Sequence, residues 1–319
     1  MNSYRLLFAS ISTLALFGCG LANTGSHDHS ISISTGDDNN ATDCNQVKIP
    51  FSGQPVARDE QDFTLTRKDA SRLSVRPGNN GGIIVHGWDR AEYQIKACKA
   101  ASGGSESDAH SRVGRISVSA SDGSVASQDP LGDDPWAVLF IVQAPRGAVM
   151  QMETENGEIG VHGISGSIDA NSHNGPISLE DCGGQVPAHT ENGPIDVSGK
   201  SGDFHLDAHN GPISVHLTGS RWEGGGLDAR TEDGPLTLKI PDGYTSGVSV
   251  EASGSSPFSC KASACHDVHG DWINDARNVK LGSGNTVVRL RTVNGPVTVE
   301  SNNGRHERED RNSDDNGGD

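Results

Sequence analysis

The residues best placed to do chemistry stand in one repeating column. Glu155, His173, Glu191, His209 and Glu232 each immediately precede an Asn-Gly or Asp-Gly pair. Carboxylate alternating with imidazole could sense pH or bind a metal, because a neighbouring carboxylate favours the imidazolium and raises the histidine pKa. A solvent-facing ladder that avoids stacking like charges accounts for the same column without any ligand. A second cluster, Cys260-x₄-Cys265-His266-x₂-His269, has zinc-binding atoms at a spacing that is unusual for zinc. A disulfide between Cys260 and Cys265 fits it better, with Cys44 and Cys98 as a second pair and Cys182 left as a buried thiol. His27 and His29 stand in a polar stretch that needs no metal to explain it. Asp169, Asp196, Asp203 and Asp207 are scattered on outward positions. No Gly-x-Ser-x-Gly elbow or Walker loop occurs. The sequence therefore predicts no enzyme, no cofactor and no metal site.

One further cysteine has its own chemistry. Arg5 precedes an apolar run, residues 6–17, too short to span a bilayer, which takes about 20 residues. The run ends in Leu16-Phe17-Gly18-Cys19, which resembles a bacterial lipoprotein lipobox, with Cys19 as the residue to be acylated. Residues 1–18 are then a signal peptide. Gly20 rather than Asp follows the cysteine, which points to the outer membrane in a two-membrane envelope. Residues 19–45 are polar and Gly-, Ser- and Asn-rich, and are expected to be a flexible tether. Residues 302–319 are expected to form a disordered acidic tail.

The elements that position these residues must be thin and turn-rich. The chain has 41 glycines and only 33% hydrophobic residues. Its formal charge of −17 argues against binding nucleic acid or anionic lipid, which needs clustered Lys and Arg. Residues 46–147 read as short, half-buried strands, among them residues 63–65, 73–75, 83–85, 93–97 and 116–119, with a fuller apolar strand at 137–143. Residues 101–110 and 129–134 read as loops, and no helix is predicted.

Residues 148–301 carry an internal repeat. Asn156, Asn174, Asn192 and Asn210, each followed by Gly, are spaced by 18 residues. Asp233-Gly234 follows after a five-residue expansion, and Asn294-Gly295 after a longer insert that includes 255–278. Three and five places after these residues stand Ile159 and Val161, Ile177 and Leu179, Ile195 and Val197, with polar residues between, which is the period of a strand with one buried face. A second strand precedes each Asn. Pro follows the Gly in five of six copies, at 176, 194, 212, 235 and 296. Proline has no N–H for a hairpin ladder, which disfavours an antiparallel meander and favours stacked coils. The predicted fold is an all-β, single-stranded β-solenoid with 18-residue coils, right-handed by the rule for parallel crossovers. Asn156, Asn174, Asn192, Asn210, Asp233 and Asn294 are expected to form a structural ladder along one corner.

The repeats Thr154-Glu155-Asn156-Gly157-Glu158-Ile159-Gly160-Val161 and Thr190-Glu191-Asn192-Gly193-Pro194-Ile195-Asp196-Val197 resemble the bacterial DUF4097 family of candidate adhesins. So do Gly81–Asp89 and the close, Leu281–Gly284 with Arg291–Gly295. The resemblance spans residues 62–301 and implies a β-helix-like envelope domain, with no catalytic residues to carry over. The expectation is a non-catalytic, lipid-anchored envelope protein that presents a solenoid to an unknown protein or glycan. A structural or regulatory component that binds one partner protein is the alternative, and a carbohydrate-active enzyme a third. An exposed aromatic row would favour glycan, yet Trp88, Trp136, Trp222 and Trp272 are dispersed.

Overall fold

The computed structural model describes residues 40–49, 51, 53–128, 135–253, 256–267, 276–282 and 284–302. The lipobox, the polar stretch with His27 and His29, His269, Trp272, loop 129–134 and residues 303–319 of the acidic tail lie outside the described residues, whereas Asn302, expected to begin that tail, is held by the Ile240 and Leu217 carbonyls. A 3-10 turn, Cys44–Gln46, leads into β1 (Val56–Thr66), β2 (Leu73–Arg76), β3 (Gly81–Trp88), β4 (Glu92–Ser102), helix α1 (Glu106–Val113), β5 (Ser117–Ser121), β6 (Ser124–Gln128) and β7 (Trp136–Pro145). The repeats supply β8 (Val149–Thr154), β9 (Ile159–His162), β10 (Ser167–Ser172), β11 (Ile177–Glu180), β12 (Gln185–Thr190), β13 (Ile195–Gly199), β14 (Ser201–Ala208), β15 (Ile213–Leu217), β16 (Glu223–Asp233) and β17 (Leu236–Ile240). The chain closes with β18 (Gly247–Ser253), β19 (Phe258–Cys260), a 3-10 turn (Ser263–Asp267), β20 (Ala276–Leu281), β21 (Thr286–Asn294) and β22 (Val297–Ser301).

These strands form two 11-stranded sheets that enclose one long core. The first runs β1-β4-β7-β3-β9-β11-β13-β15-β17-β22-β19, and the second β20-β18-β21-β16-β14-β12-β10-β8-β2-β6-β5. Each repeat gives one strand to each sheet, so the chain is a β-solenoid. The stacking is parallel and in column: Ile159, Ile177, Ile195, Ile213, Leu236 and Val297 pair in succession. In the second sheet Met152, Ala170, Ala188, Leu206, Ala229 and Leu290 do the same. Each fully buried Ile, Leu, Val or Met side chain in these columns contributes roughly 1.5–3 kcal/mol relative to exposure, and each alanine methyl less.

The proline positions explain why the copies stack. Each proline keeps its carbonyl in the ladder, where it accepts from the preceding coil: Ile159 N donates to Pro176 O at 2.9 Å, and Ile177 N to Pro194 O at 2.9 Å. The missing N–H therefore leaves this set of ladder bonds intact.

Three features depart from the sequence expectations. First, residues 101–110 are not a loop throughout, because α1 begins at Glu106. Its signals are local: Ser105 Oγ accepts from Asp108 N at 3.2 Å, Asp108 Oδ1 accepts from Arg112 Nε at 3.1 Å one turn on, and Ala109 and Val113 are buried four residues apart. Second, the coils do not stack in chain order at either end. The β21–β22 coil lies directly on the β16–β17 coil, and β18–β19, made earlier, sits outside it. This is why Asn294-Gly295 continues the Asp233-Gly234 column across the insert. Likewise β7 lies between β3 and β4, and antiparallel strands β1 and β4 close that edge.

Third, part of the expected tether is built into the domain. Ala41, Val47 and Ile49 are buried against Ile84, Ala100, Ala137, Leu139 and Ile141 on the outer face of the first sheet. Residues 40–49 thus form a strap over a second, smaller core, and a disulfide from Cys44 to Cys98 in β4 fixes it, with Cα atoms 5.3 Å apart.

Candidate functional site: the Asn-Gly corner and the outer faces

The Asn-Gly corner is built from three stacked columns. On the outside, Asn174 Nδ2 donates to Asn156 Oδ1 at 2.9 Å, Asn192 to Asn174 at 3.0 Å and Asn210 to Asn192 at 3.0 Å. Asn294 Nδ2 donates to Asp233 Oδ1 at 2.9 Å. At the lower end Asn156 Nδ2 donates to the Asn79 carbonyl at 2.9 Å.

The glycines come next. A Cβ on Gly175, Gly193, Gly211 or Gly295 would collide with the carbonyl oxygen of the glycine one coil below, Gly157, Gly175, Gly193 or Gly234 respectively. None of these glycines has positive φ. Their role is therefore close approach between stacked backbones, and not a left-handed turn.

Inside the corner lies a row of buried hydroxyls at Thr154, Ser172, Thr190, Thr231 and Thr292. Thr154 Oγ1 donates to Gly157 O at 2.9 Å, Thr190 Oγ1 to Gly175 O at 3.2 Å and Thr231 Oγ1 to Gly211 O at 2.8 Å. Each hydroxyl meets a glycine carbonyl, so burial leaves neither group unpaired.

The Glu and His column does not form a continuous ridge. His209 Nδ1 and Glu232 Oε2 are 3.0 Å apart, and Arg230 Nη2 also reaches Glu232 at 3.2 Å. Glu191 pairs instead with His189 Nε2 at 3.3 Å, two residues earlier on its own strand. No ion pair joins His173 to Glu155 or Glu191 among the described residues. Stacked strands lie about 4.8 Å apart, close enough for such pairs, but the exposed side chains choose partners within a strand as readily.

The structure brings together a different imidazole cluster. Six places after each Asn stand His162, Glu180, Ser198, His216, Lys239 and Glu300, and register places His86 of β3 beside His162. The rings of His86 and His162 stack at 5.2 Å between centroids, and His162 Nδ1 lies 3.0 Å from Glu180 Oε2. His86 Nε2 donates to the Ala41 carbonyl at 3.0 Å, so this column seats the strap. Burial holds the His86 pKa below the ordinary 6.5, against the Ala41 hydrogen bond and with the His162 ring. His216 is lowered by burial as well, and by Lys239. The repeat alignment contains this column from residue 162 onward. His86 lies outside the repeats, and only strand register shows that it belongs.

Cys260 is joined to Cys265, with Cα atoms 5.9 Å apart, so their sulfurs are not free for zinc. Cys182 is a buried free thiol pushed up to about 12, first by burial. Disulfides persist in oxidising compartments, so the two bridges point to an extracytoplasmic protein. Trp136 and Trp222 are buried and Trp88 is half-buried, so no aromatic row lies on a face among the described residues. Among the described residues no group of three or more His, Cys, Asp or Glu could hold a metal ion.

No family model matches the chain, and no curated protein matches it. Among solved structures, it is similar to a candidate cell adhesion protein from Clostridium sporogenes, with 10% identity over 77% of this chain and 100% of that one and a TM-score of 0.29. It is similar to a candidate adhesin from Bacteroides fragilis, with 11% identity over 77% and 97% and a TM-score of 0.35. A candidate lipid-binding protein from Parabacteroides distasonis has 7% identity over 78% and 97% and a TM-score of 0.30. Likenesses of this size carry no functional argument.

Proposed function

We propose that the chain is a non-catalytic envelope protein, anchored through an acylated Cys19, that presents its β-solenoid as an adhesin-like binding surface. The observation that carries this reading is the form of the two sheets. The first sheet presents a row of side chains in register on its outer face, with Asp196 exposed and Ser178, Ser214, Thr237 and Thr298 half-buried. Such a surface suits extended contact with a polymer or protein better than it suits chemistry in a pocket. The two disulfides support export.

A pulldown from envelope and cell-surface extracts, with the purified full chain as bait, tests the reading. Recovery of several surface glycans or proteins is the expected outcome. A single stoichiometric protein would replace it with the structural or regulatory alternative. Mass spectrometry of the processed N-terminus tests the anchor, and an unmodified Cys19 would remove that part.

A further inference from the structure

Among the described residues the two sheets end in four edge strands, β1 and β19 in the first and β20 and β5 in the second. An exposed edge offers unpaired N–H and C=O groups to any passing strand, and folded chains blunt such edges with charge, proline or shortness. Three of these four are blunted. β1 carries exposed Arg58, Asp59, Glu60 and Asp62. β19 has three residues and follows Pro257. β20 carries exposed Lys280.

The fourth, β5, reads Ser117-Val118-Ser119-Ala120-Ser121, without charge or proline. Its three serines are exposed, and Val118 and Ala120, which pack against the core, are only half-buried. No strand except β6 pairs with it among the described residues. β1 of the other sheet approaches β5 but exchanges no backbone hydrogen bond with it among those residues.

The turn into β6 decides which backbone groups of β5 are open. Asp122 and Gly123 have φ of 50° and 74°, as in a two-residue type I′ turn, so the flanking pair, Ser121 and Ser124, is hydrogen-bonded. Such pairs alternate along an antiparallel ladder, so Ser119 and Ser117 also turn their backbone groups toward β6. The N–H and C=O of Val118 and Ala120 therefore face the open edge.

One strand satisfies both residues at once: β5 of a second copy, antiparallel about a two-fold axis at Ser119. Val118 of each copy then exchanges two hydrogen bonds with Ala120 of the other. Ser117 faces Ser121 and Ser119 faces its own counterpart, so small uncharged side chains meet on the outer face. The charges that flank the strand complement one another. Exposed Arg115 precedes β5 and exposed Asp122 follows it, so antiparallel pairing brings the Arg115 end of each copy to the Asp122 end of the other. Arg72, whose carbonyl lies beside that turn, has its side chain 3.6 Å from Asp169.

We propose that the chain forms an isologous dimer through β5, which joins the second sheets of two copies into one continuous sheet. The interface is small, so the dimer is weak in free solution. Confinement of the copies on one surface raises their effective concentration and makes two solenoids a bivalent binder. The pairing depends neither on the anchor nor on what the solenoid binds, so either of those readings can fail in its own test while this one stands.

The test uses the full chain with Cys19→Ser, so that residue 19 supplies neither acyl group nor thiol. Sedimentation velocity should show a monomer–dimer equilibrium with a Kd on the order of 10–100 μM. Ser119→Lys, at an exposed position, sets two ammonium groups face to face and should weaken the dimer about tenfold or more. Ser119→Glu should do the same, and mixing the two variants should restore association. Self-association through residues 6–17 would survive either substitution. Under mild oxidation Ser119→Cys should cross-link to its counterpart, because facing Cα atoms there lie about 4.5 Å apart, within disulfide range. Ser117→Cys alone should not, with its counterpart about 14 Å away, yet it should cross-link when mixed with Ser121→Cys. A chain that stays monomeric through that range, a dimer that Ser119→Lys leaves intact, or equal cross-linking of Ser119→Cys and Ser117→Cys would overturn the proposal. Melting curves establish that each variant is folded.

Discussion

Asn174 donates through Nδ2 to Oδ1 of Asn156 at 2.9 Å, and that bond runs in the only direction the lower end of the column allows. Asn156 meets a backbone carbonyl, Asn79 O, which can only accept, so every amide above it must donate downward and present its oxygen upward. The polarity holds through Asn192 and Asn210. The next side chain is Asp233, whose carboxylate also only accepts, and no hydrogen bond joins it to Asn210 among the described residues. Asp233→Asn would accept from Asn294 and donate to Asn210. It should raise stability by about 0.5–1 kcal/mol, read as a higher urea midpoint at unchanged slope. An unchanged or lower midpoint would show that the ladder does not run through position 233.

The glycine column makes a stronger claim. Gly193→Ala would drive a methyl group into Gly175 O, an atom held by two stacked backbones. The expected cost is roughly 3 kcal/mol or more, seen as a large loss in thermal midpoint. Gly199→Ala, where an added Cβ meets nothing within 4 Å, is the control and should change little.

The strap depends on Cys44–Cys98. Removing both sulfurs by Cys44→Ala with Cys98→Ala should cost about 2–4 kcal/mol and make residues 40–49 a site of protease cleavage. The β10–β17 coils, which touch neither cysteine, should keep their hydrogen-exchange protection. Loss of protection across the whole solenoid would mean that the strap is part of the main cooperative unit.

Stability should depend on pH through His86 and His216. Both have folded-state pKa values below the unfolded 6.5, so the unfolded chain binds protons more readily. Their contribution is fully present above pH 6.5 and is lost as pH falls through the lower, folded values. Urea midpoints measured from pH 8 downward should therefore fall below pH 6.5, and His86→Asn should flatten part of that fall. A midpoint that rises on acidification would reverse the assigned sign.

Much of the coil was legible in the sequence because it depends on neighbours a few residues away. Alternation of Ile177, Ser178 and Leu179 identifies a one-sided strand, and Pro176 after Gly175 disfavours a hairpin. Helix α1 had legible signals too, in Ser105, Asp108 and Arg112, but they are only eight residues long and sit in a Gly- and Ser-rich stretch that reads as loop. The His86–His162 stack was not legible, because the two residues belong to different regions and meet only through register.

The sequence alone determined the cross-section of this protein: two strands, an Asn-Gly-Pro corner and 18 residues per coil. Those features follow from side-chain alternation and corner sterics, which act within one coil and repeat with it. The tertiary structure decided which coil lies on which, placed β21–β22 inside β18–β19, and laid residues 40–49 over Ile84 and Leu139. Every coil offers nearly the same columns to its neighbour, so local pattern cannot rank the possible neighbours. That choice rests on long-range packing at the two ends, where the chain must close its sheet edges and cover its exposed apolar surface.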